Sequence, residues 1–479
     1  MEELIKVEVK KDHLDKISRG SVLNSLTELV WNAFDADANS VQIQIVKNDI
    51  GIQEVHVKDD GHGIPHKDSK ALFSSLGGSW KGDKGFSPKG RYLHGKEGQG
   101  RFKAFAIGRY VEWNTSFSDG NQTLEYQIKG KADNKGEFQV FVPHAKSHSA
   151  GFDWSVSSRS GKQLSIHSFY IAKPTDSADL INAQLKMGKN LILTPGIYEL
   201  NQSLKVSRPG TIVLGLGLPS LVPMQGTAAI EVADVSGVML SGITIDAGPV
   251  RSNVLLKVGK KNSYAGAPHD PTTLSDIFVR VGGPRLGQAT TSVEVNSNNV
   301  ILDHSWLWRG DHGTGTTWDQ NKADHGLVVN GNDVNALGLF VEHYQKHQVI
   351  WNGERGRTLF YQSEMPYDPP SQAAWMNGSK EGYASYVVGD NVRSHEATGL
   401  AIYSLFLAWQ NVHASSAIEV PEALGVRLKS MTSAVIFGDG GIRHVVNNVG
   451  PAALAAEPNA EIYRMTSAVR LTAFPVAQD

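Results

Sequence analysis

Glu28, Asn32 and Asp35 stand at i, i+4 and i+7 in a stretch whose apolar residues keep helical spacing. Two carboxylates and an amide therefore project from one helix face. Downstream, Asp59-Asp60-Gly61-His62-Gly63 sets two glycines at two-residue spacing beside acidic groups. Such glycines let the backbone turn tightly and approach a ligand, while the adjacent carboxylate accepts a hydrogen bond from an amino group. A third segment, Gly95-Lys96-Glu97-Gly98-Gln99-Gly100-Arg101, opens a helical run from Phe102 to Ile107. Free backbone N–H groups at such a loop suit phosphates, and the oxygens of the helix face suit a hard divalent cation. Taken singly, the first segment is also a solvated polar stripe and the second an ordinary glycine turn.

A second constellation lies far along the chain. Glu342 and Glu364 each close a β-rich run, one run after the other. In a stack of β-coils their separation is about one coil, which sets the two side chains on neighbouring strands ~4.8 Å apart. Two carboxyls so close cannot both ionise freely, and one of them is left able to donate a proton. Without the coil they are two unrelated surface glutamates. Trp306, Trp308, Trp318, Trp351 and Tyr367 surround them in the sequence as sugar-stacking or core aromatics. His304, His312, His325, His343, His347 and His395 show no metal-ligand spacing.

The elements that must position these groups divide into two kinds. Residues 13 to 38 have helical periodicity, and Val41 to Val46 and Gln53 to Val57 alternate as two strands joined at Asn48-Asp49-Ile50-Gly51. Ser74 to His94, rich in Gly, Lys and Ser, has the length of a lid over a bound ligand. From about residue 165 the pattern becomes short β-runs, with one helix over Ser177 to Met187. The runs recur at roughly 20 to 25 residues, a period that predicts a parallel β-helix, with a β-sandwich as the alternative.

Composition supports the division. The chain has 479 residues, more than one ordinary domain holds. Residues 1–150 hold 17 Lys against 4 Arg, whereas residues 201–479 hold 8 Lys against 12 Arg. A net charge of −2 gives no electrostatic reason to expect nucleic-acid or membrane partners. With no cysteine, disulfides, thiolate metal sites and cysteine nucleophiles are excluded. The first residues carry no basic-then-apolar leader, so the expected location is cytoplasmic.

The three N-terminal segments, in order, resemble the ATP site of the GHKL superfamily, which includes Hsp90, MutL, gyrase B and histidine kinases. The resemblance implies a two-layer α/β sandwich (the Bergerat fold) over residues 1–151. It implies Glu28 as the base that activates water, Asn32 as the Mg²⁺ ligand, and Asp35 as a further nucleotide-site residue. Asp59 would bind the adenine amino group, Gly61 and Gly63 would shape that pocket, and Gly95, Lys96, Gly98 and Gly100 would wrap the phosphates. Glu28 places the resemblance nearer Hsp90 and MutL than the kinases, and ATP-dependent pairing of two copies stays open. The closing Gly-Thr strand of that superfamily is represented by Ser149-Ala150-Gly151-Phe152-Asp153-Trp154, without the Thr.

The later region resembles glycoside hydrolase family 55, right-handed β-helix proteins that include exo-acting β-1,3-glucanases. The stretches that carry it are Phe169 to Pro174, Leu193 to Tyr198, Asp303 to Arg309 and Tyr361 to Asp368. The resemblance implies a β-helix over 165–479 after a junction at 152–164, Glu364 as general acid, Glu342 as a holder of the attacking water, and a β-glucan or other polysaccharide as partner. It also implies that one β-helix of a normally tandem pair is present, with the ATPase unit in place of the other, as in a chimera. Relatives of this unit are secreted. A non-catalytic carbohydrate-binding or structural β-helix, beside a site that binds ATP without hydrolysing it, is the alternative.

Overall fold

In this computed structural model, Ser21 Oγ accepts a hydrogen bond from Asn24 N at 3.1 Å and caps helix α1 (Val22–Asp35). The structure describes residues 21–48, 51–74, 85–94, 100–108, 110–118, 123–131, 139–143, 161–262, 266–407, 411–455 and 467–475. Residues 13–20, most of the expected lid, Gly95, Lys96, Gly98 and the Ser149-to-Trp154 segment lie outside them. The chain forms two compact units, Met1–Val140 and Phe141–Asp479.

In the first unit, α1 is followed by an antiparallel hairpin, β1 (Val41–Asn48) and β2 (Gly51–Asp59), in which Val41 faces Asp59. That register returns the chain to the helix end, where His62 N donates to Ala36 O at 2.8 Å. Asp60 secures the same corner by accepting from the backbone of Asn39 and Ser40 at 2.7 and 2.8 Å. Helix α2 (His66–Ser74) and a second hairpin, β3 (Tyr110–Ser118) with β4 (Thr123–Lys131), complete the described elements together with a 3-10 helix, Gly100–Ala106. Phe73, Phe102 and Ile128 are buried at their centre, with Phe105, Trp113 and Tyr126 packed against them. This is the Bergerat-type α/β architecture.

The helical run expected from Phe102 is a 3-10 helix rather than an α-helix. Its three-residue turn puts Phe102 and Phe105 on one side, facing the aromatic core, and Gly100 and Lys103 together on another.

The second unit is a right-handed parallel β-helix. An eight-stranded parallel sheet stacks Leu204, Ile230, Leu256, Val293, Leu327, Val349, Tyr386 and Ile418 in one interior column. None of the eight is more than 1% exposed. The longer sheet includes β5 (Met239–Asp246), β6 (Thr272–Val281), β7 (Val300–Arg309), β8 (Asn335–Glu342), β9 (Gly356–Glu364), β10 (Ser394–Phe406) and β11 (Gly425–Gly438).

Each of these seven strands bends at an interior residue with positive φ: Gly242, Asp276, His304, Gly338, Phe360, Gly399 and Ser430. The column folds the sheet into two faces, so a coil has three sides. The separate runs expected at Val238 to Leu240 and Ile243 to Ile245 are the two halves of β5 across such a bend.

Helix α3 (Ala178–Lys186), capped by Ser177, buries Ala178, Ile181 and Leu185 against the first coil. At the far edge, Ser467–Phe474 pairs antiparallel with β11 and closes the sheet. Coil length departs from the even period expected. One ladder of partners runs through Asp246, Arg280, Trp308, Glu342, Glu364 and Tyr403, and its steps along the chain are unequal. The step from Glu342 to Glu364 is the shortest, and the next, to Tyr403, is the longest. The longer coils carry loops after β7 and β9, and these loops bring further side chains to the glutamates.

Candidate functional site

Glu342 and Glu364 end β8 and β9 and are direct partners in the parallel register. The residues before them, Val341 and Ser363, point inward and are wholly buried, so strand alternation turns both glutamates outward. Their carboxylates are drawn towards different partners. Trp306 Nε1 on β7 donates to Glu342 Oε2 at 2.8 Å. Tyr367 Oη, from the loop after β9, donates to Glu364 Oε2. Gln362 lies between them, its amide 3.4 Å from Glu364 Oε1. The Gln362 amide oxygen is buried and meets no donor among the described residues.

A third carboxylate, Asp311, comes from the loop after β7. Trp308 Nε1 donates to it at 3.2 Å, and His312 Nδ1 lies 2.9 Å away. Burial pushes Glu364 up to about 7, and the charges of Glu342 and Asp311 push the same way. Glu342 is also raised, first by burial and then by Asp311. His343, buried next to Glu342, is pushed down to about 4 by burial and presents a neutral ring edge to Tyr367, their centroids 4.2 Å apart. A carboxyl that holds its proton near neutrality, beside a second carboxylate and stacked indoles, can protonate a leaving oxygen on a flat polar ligand. Trp306 and Trp308 stack at 5.6 Å.

Beneath the site, Arg309 is 1% exposed and pairs with Asp368 through two hydrogen bonds of 2.9 and 3.0 Å. It also donates to the carbonyls of His343, Thr317 and Asn321, so it ties both long loops to β7. Replacing Arg309 with Leu is expected to cost about 2–4 kcal/mol, because Asp368 and three carbonyls lose their donor. Urea unfolding of the full chain measures it.

The aromatics fall into two groups. Trp351 is fully buried in the core, and Trp318 lies under Arg309 at 5.7 Å. Neither belongs to the outward face with Trp306, Trp308 and Tyr367. Asp311, Gln362 and Arg309 carry no spacing signal, since only the register and the loop after β7 bring them to the glutamates.

In the first unit, Gly100 is the meeting point. A Cβ there would lie 2.9 Å from Glu28 Oε2 and 3.3 Å from Asn32 Nδ2, so the bare backbone seats directly on both side chains. Glu28 Oε1 accepts from Lys103 Nζ at 2.6 Å. One turn beyond Asn32, Gly61 rests against Ala36 O, and Gly61 N donates to Asp59 Oδ1 at 2.9 Å. Gly63 has φ +73°, and a Cβ there would run into Ser116 O at 2.0 Å. The helix face, the glycine corner and Gly100 thus follow one another along α1.

Asp35 shares that face by spacing but is 2% exposed, and its carboxylate accepts from His94 N at 2.9 Å. It anchors the backbone at His94. His94 also stacks on Trp31 at 3.8 Å. The Asn32 amide supplies a hard oxygen donor that suits a water-carrying cation such as Mg²⁺.

Comparison with known proteins assigns both units. Residues 21–170 match the family described as histidine kinase-, DNA gyrase B-, and HSP90-like ATPase, and residues 169–364 match the LAM55 pectate lyase-like domain. The chain therefore joins a GHKL-type ATPase domain to a glycoside hydrolase family 55-like β-helix. It is similar to an exo-beta-1,3-glucanase of Streptomyces sp. (strain SirexAA-E / ActE), 42% identical over 314 residues, or 66% of this chain and 52% of that protein.

The solved structure of sacteLam55A from Streptomyces sp. SirexAA-E superposes with a TM-score of 0.67 at 37% identity, covering 77% of this chain and 63% of that one. A Glu-to-Ala variant of sacteLam55A in complex with glucose gives the same TM-score of 0.67. The chain thus spans about half the length of the curated glucanase. A putative type II restriction enzyme, HgiDII of Herpetosiphon aurantiacus, is 32% identical over 101 residues, 21% of this chain and 16% of that protein. Membership of the ATPase group implies nucleotide and magnesium binding in general. Among the described residues, no helix is long and apolar enough to cross a membrane.

Proposed function

We propose that the β-helix unit hydrolyses β-1,3-linked glucan from a chain end, with Glu364 as general acid and Glu342 as holder of the attacking water. The observation that carries this reading is the register pairing of the two glutamates, with Glu364 raised to about 7 by burial and by its neighbours' charges. Glu364 gives its proton to the glycosidic oxygen as the C1–O bond breaks. Water held by Glu342 adds to C1 from the opposite side and loses its proton to that carboxylate. Glu342 is held by Trp306 and Glu364 by Tyr367, so the two carboxyls have separate partners and separate tasks. The Gln362 amide oxygen is an acceptor for a sugar hydroxyl. The test is proton NMR of glucose released from laminarin: inversion gives the α-anomer first, and initial β-anomer would refute the scheme.

The charge of Glu342 also sets the basic limb. Glu342→Gln removes a charge that raises Glu364, so the fall in kcat/KM on the alkaline side is expected to move to lower pH. A pH–rate profile of the residual activity checks this.

The first unit, in the same proposal, binds ATP with Mg²⁺ and hydrolyses it. Asn32 would hold the cation through its amide oxygen, Asp59 the adenine amino group, and the backbone at Gly100 the phosphate end. The supporting observation is the seating of Gly100 on Glu28 and Asn32. Mg²⁺ neutralises phosphate charge when bound. Glu28 orients the attacking water and accepts its proton. Nucleotide-dependent thermal stabilisation of the full chain is the test.

A further inference from the structure

Glu28 makes one close contact that orienting a water does not use. Lys103 Nζ lies 2.6 Å from Glu28 Oε1, while Oε2 faces Gly100. Gly100 and Lys103 are one 3-10 turn apart, so the lysine side chain leaves the helix on the side where Gly100 meets α1. Both partners keep about a third of their side-chain exposure, 35% for Lys103 and 34% for Glu28. The pair is therefore not sealed in the core, and an ion pair of this kind opens at small cost.

Building on the proposed ATP site, we propose that Lys103 is the cation by which this unit tells a nucleoside triphosphate from a diphosphate. Without a terminal phosphate it holds Glu28; with one, it moves onto that phosphate and releases the carboxylate.

The geometry supports the exchange. A carboxylate that positions water for attack stands one water molecule from the terminal phosphorus, so a cation touching that carboxylate is within a side-chain swing of the phosphate oxygens. Lysine is a compact charge on a flexible stem and makes this move without backbone change. The terminal phosphate carries more charge than one carboxylate and competes well for it. A diphosphate offers nothing at that place, so the Lys103–Glu28 pair persists. While it does, Glu28 Oε1 is occupied and a poor acceptor for a water proton. The same lysine thus reads the ligand and gates the base, using only residues of this unit.

The experiment is calorimetric titration of the full chain, with Mg²⁺, by ADP and by the non-hydrolysable triphosphate adenylyl imidodiphosphate. Wild type is expected to bind the triphosphate about tenfold tighter, as one charged hydrogen bond provides. Lys103→Met should leave ADP affinity unchanged and reduce the preference to about twofold or less. Lys103→Arg should keep it. Glu28→Gln, which frees the lysine, should raise triphosphate affinity and leave ADP alone. Retained ADP binding shows that each variant folds. If Lys103→Met keeps the wild-type preference, the exchange is wrong while the nucleotide site stands. If wild type binds neither nucleotide, the ATP reading falls and this inference with it.

Discussion

Glu364→Gln is expected to lower glucose release from laminarin by about 10³-fold, the effect of losing a general acid. The same variant should keep most of its activity on an aryl β-glucoside whose phenol leaves without protonation. That contrast separates loss of a proton donor from loss of the fold. The wild-type pH profile should fall above about pH 7, where Glu364 gives up its proton. It should also fall in acid as Glu342 becomes neutral, at a pH above the usual carboxylate range because burial raises it.

The stability effect has the opposite sign. Glu364 has a folded value above its unfolded one, so the native state holds its proton more tightly. Its favourable contribution is complete below the ordinary carboxylate range and is lost as pH rises to about 7. Removing the ionisable group should therefore stabilise the protein at pH 8 by about 1–3 kcal/mol and change little at pH 4. Gain of stability with loss of turnover marks a residue placed for chemistry rather than for folding.

Asn32→Ala has the second large effect. With ATP and Mg²⁺ at a hundred times the dissociation constant, the wild-type first unit should gain about 2.7 kcal/mol against unfolding. Asn32→Ala should lose nearly all of that gain, since the amide group beside Gly100 disappears. Asp59→Asn should lose it as well, by replacing the proposed acceptor of the adenine amino group with a side chain that is half donor. Thermal melts of the full chain, with and without nucleotide, read both. An Asn32→Ala protein that ATP still stabilises fully would remove Asn32 from the site.

Much of this arrangement is legible in the residues themselves. The interval between Glu342 and Glu364 equals one short coil, and the structure pairs them in register. The i, i+4 spacing of Glu28 and Asn32 likewise puts both against Gly100. Other features depend on contacts that spacing cannot express. Asp311 reaches the glutamates because the coil from Trp308 to Glu342 is longer than the one that follows it, and its extra chain loops outward. Coil lengths vary because only the strands must stack, and the loops between them are free to grow. Asp35 has the right helical phase, yet burial and the His94 backbone claim its carboxylate. Phe102 lies in a 3-10 helix, where Phe105, one such turn on, packs against the same core. Trp351 has the same standing in the sequence as the other four aromatics, and only the three-sided coil shows it facing inward.

The most direct measurement is a carbon-13 NMR titration of the Glu364 carboxyl, assigned by its absence in Glu364→Gln. An apparent pKa near 7 that drops in Glu342→Gln is the predicted result. Titration in the ordinary carboxylate range, or one indifferent to Glu342, would contradict the paired-acid site.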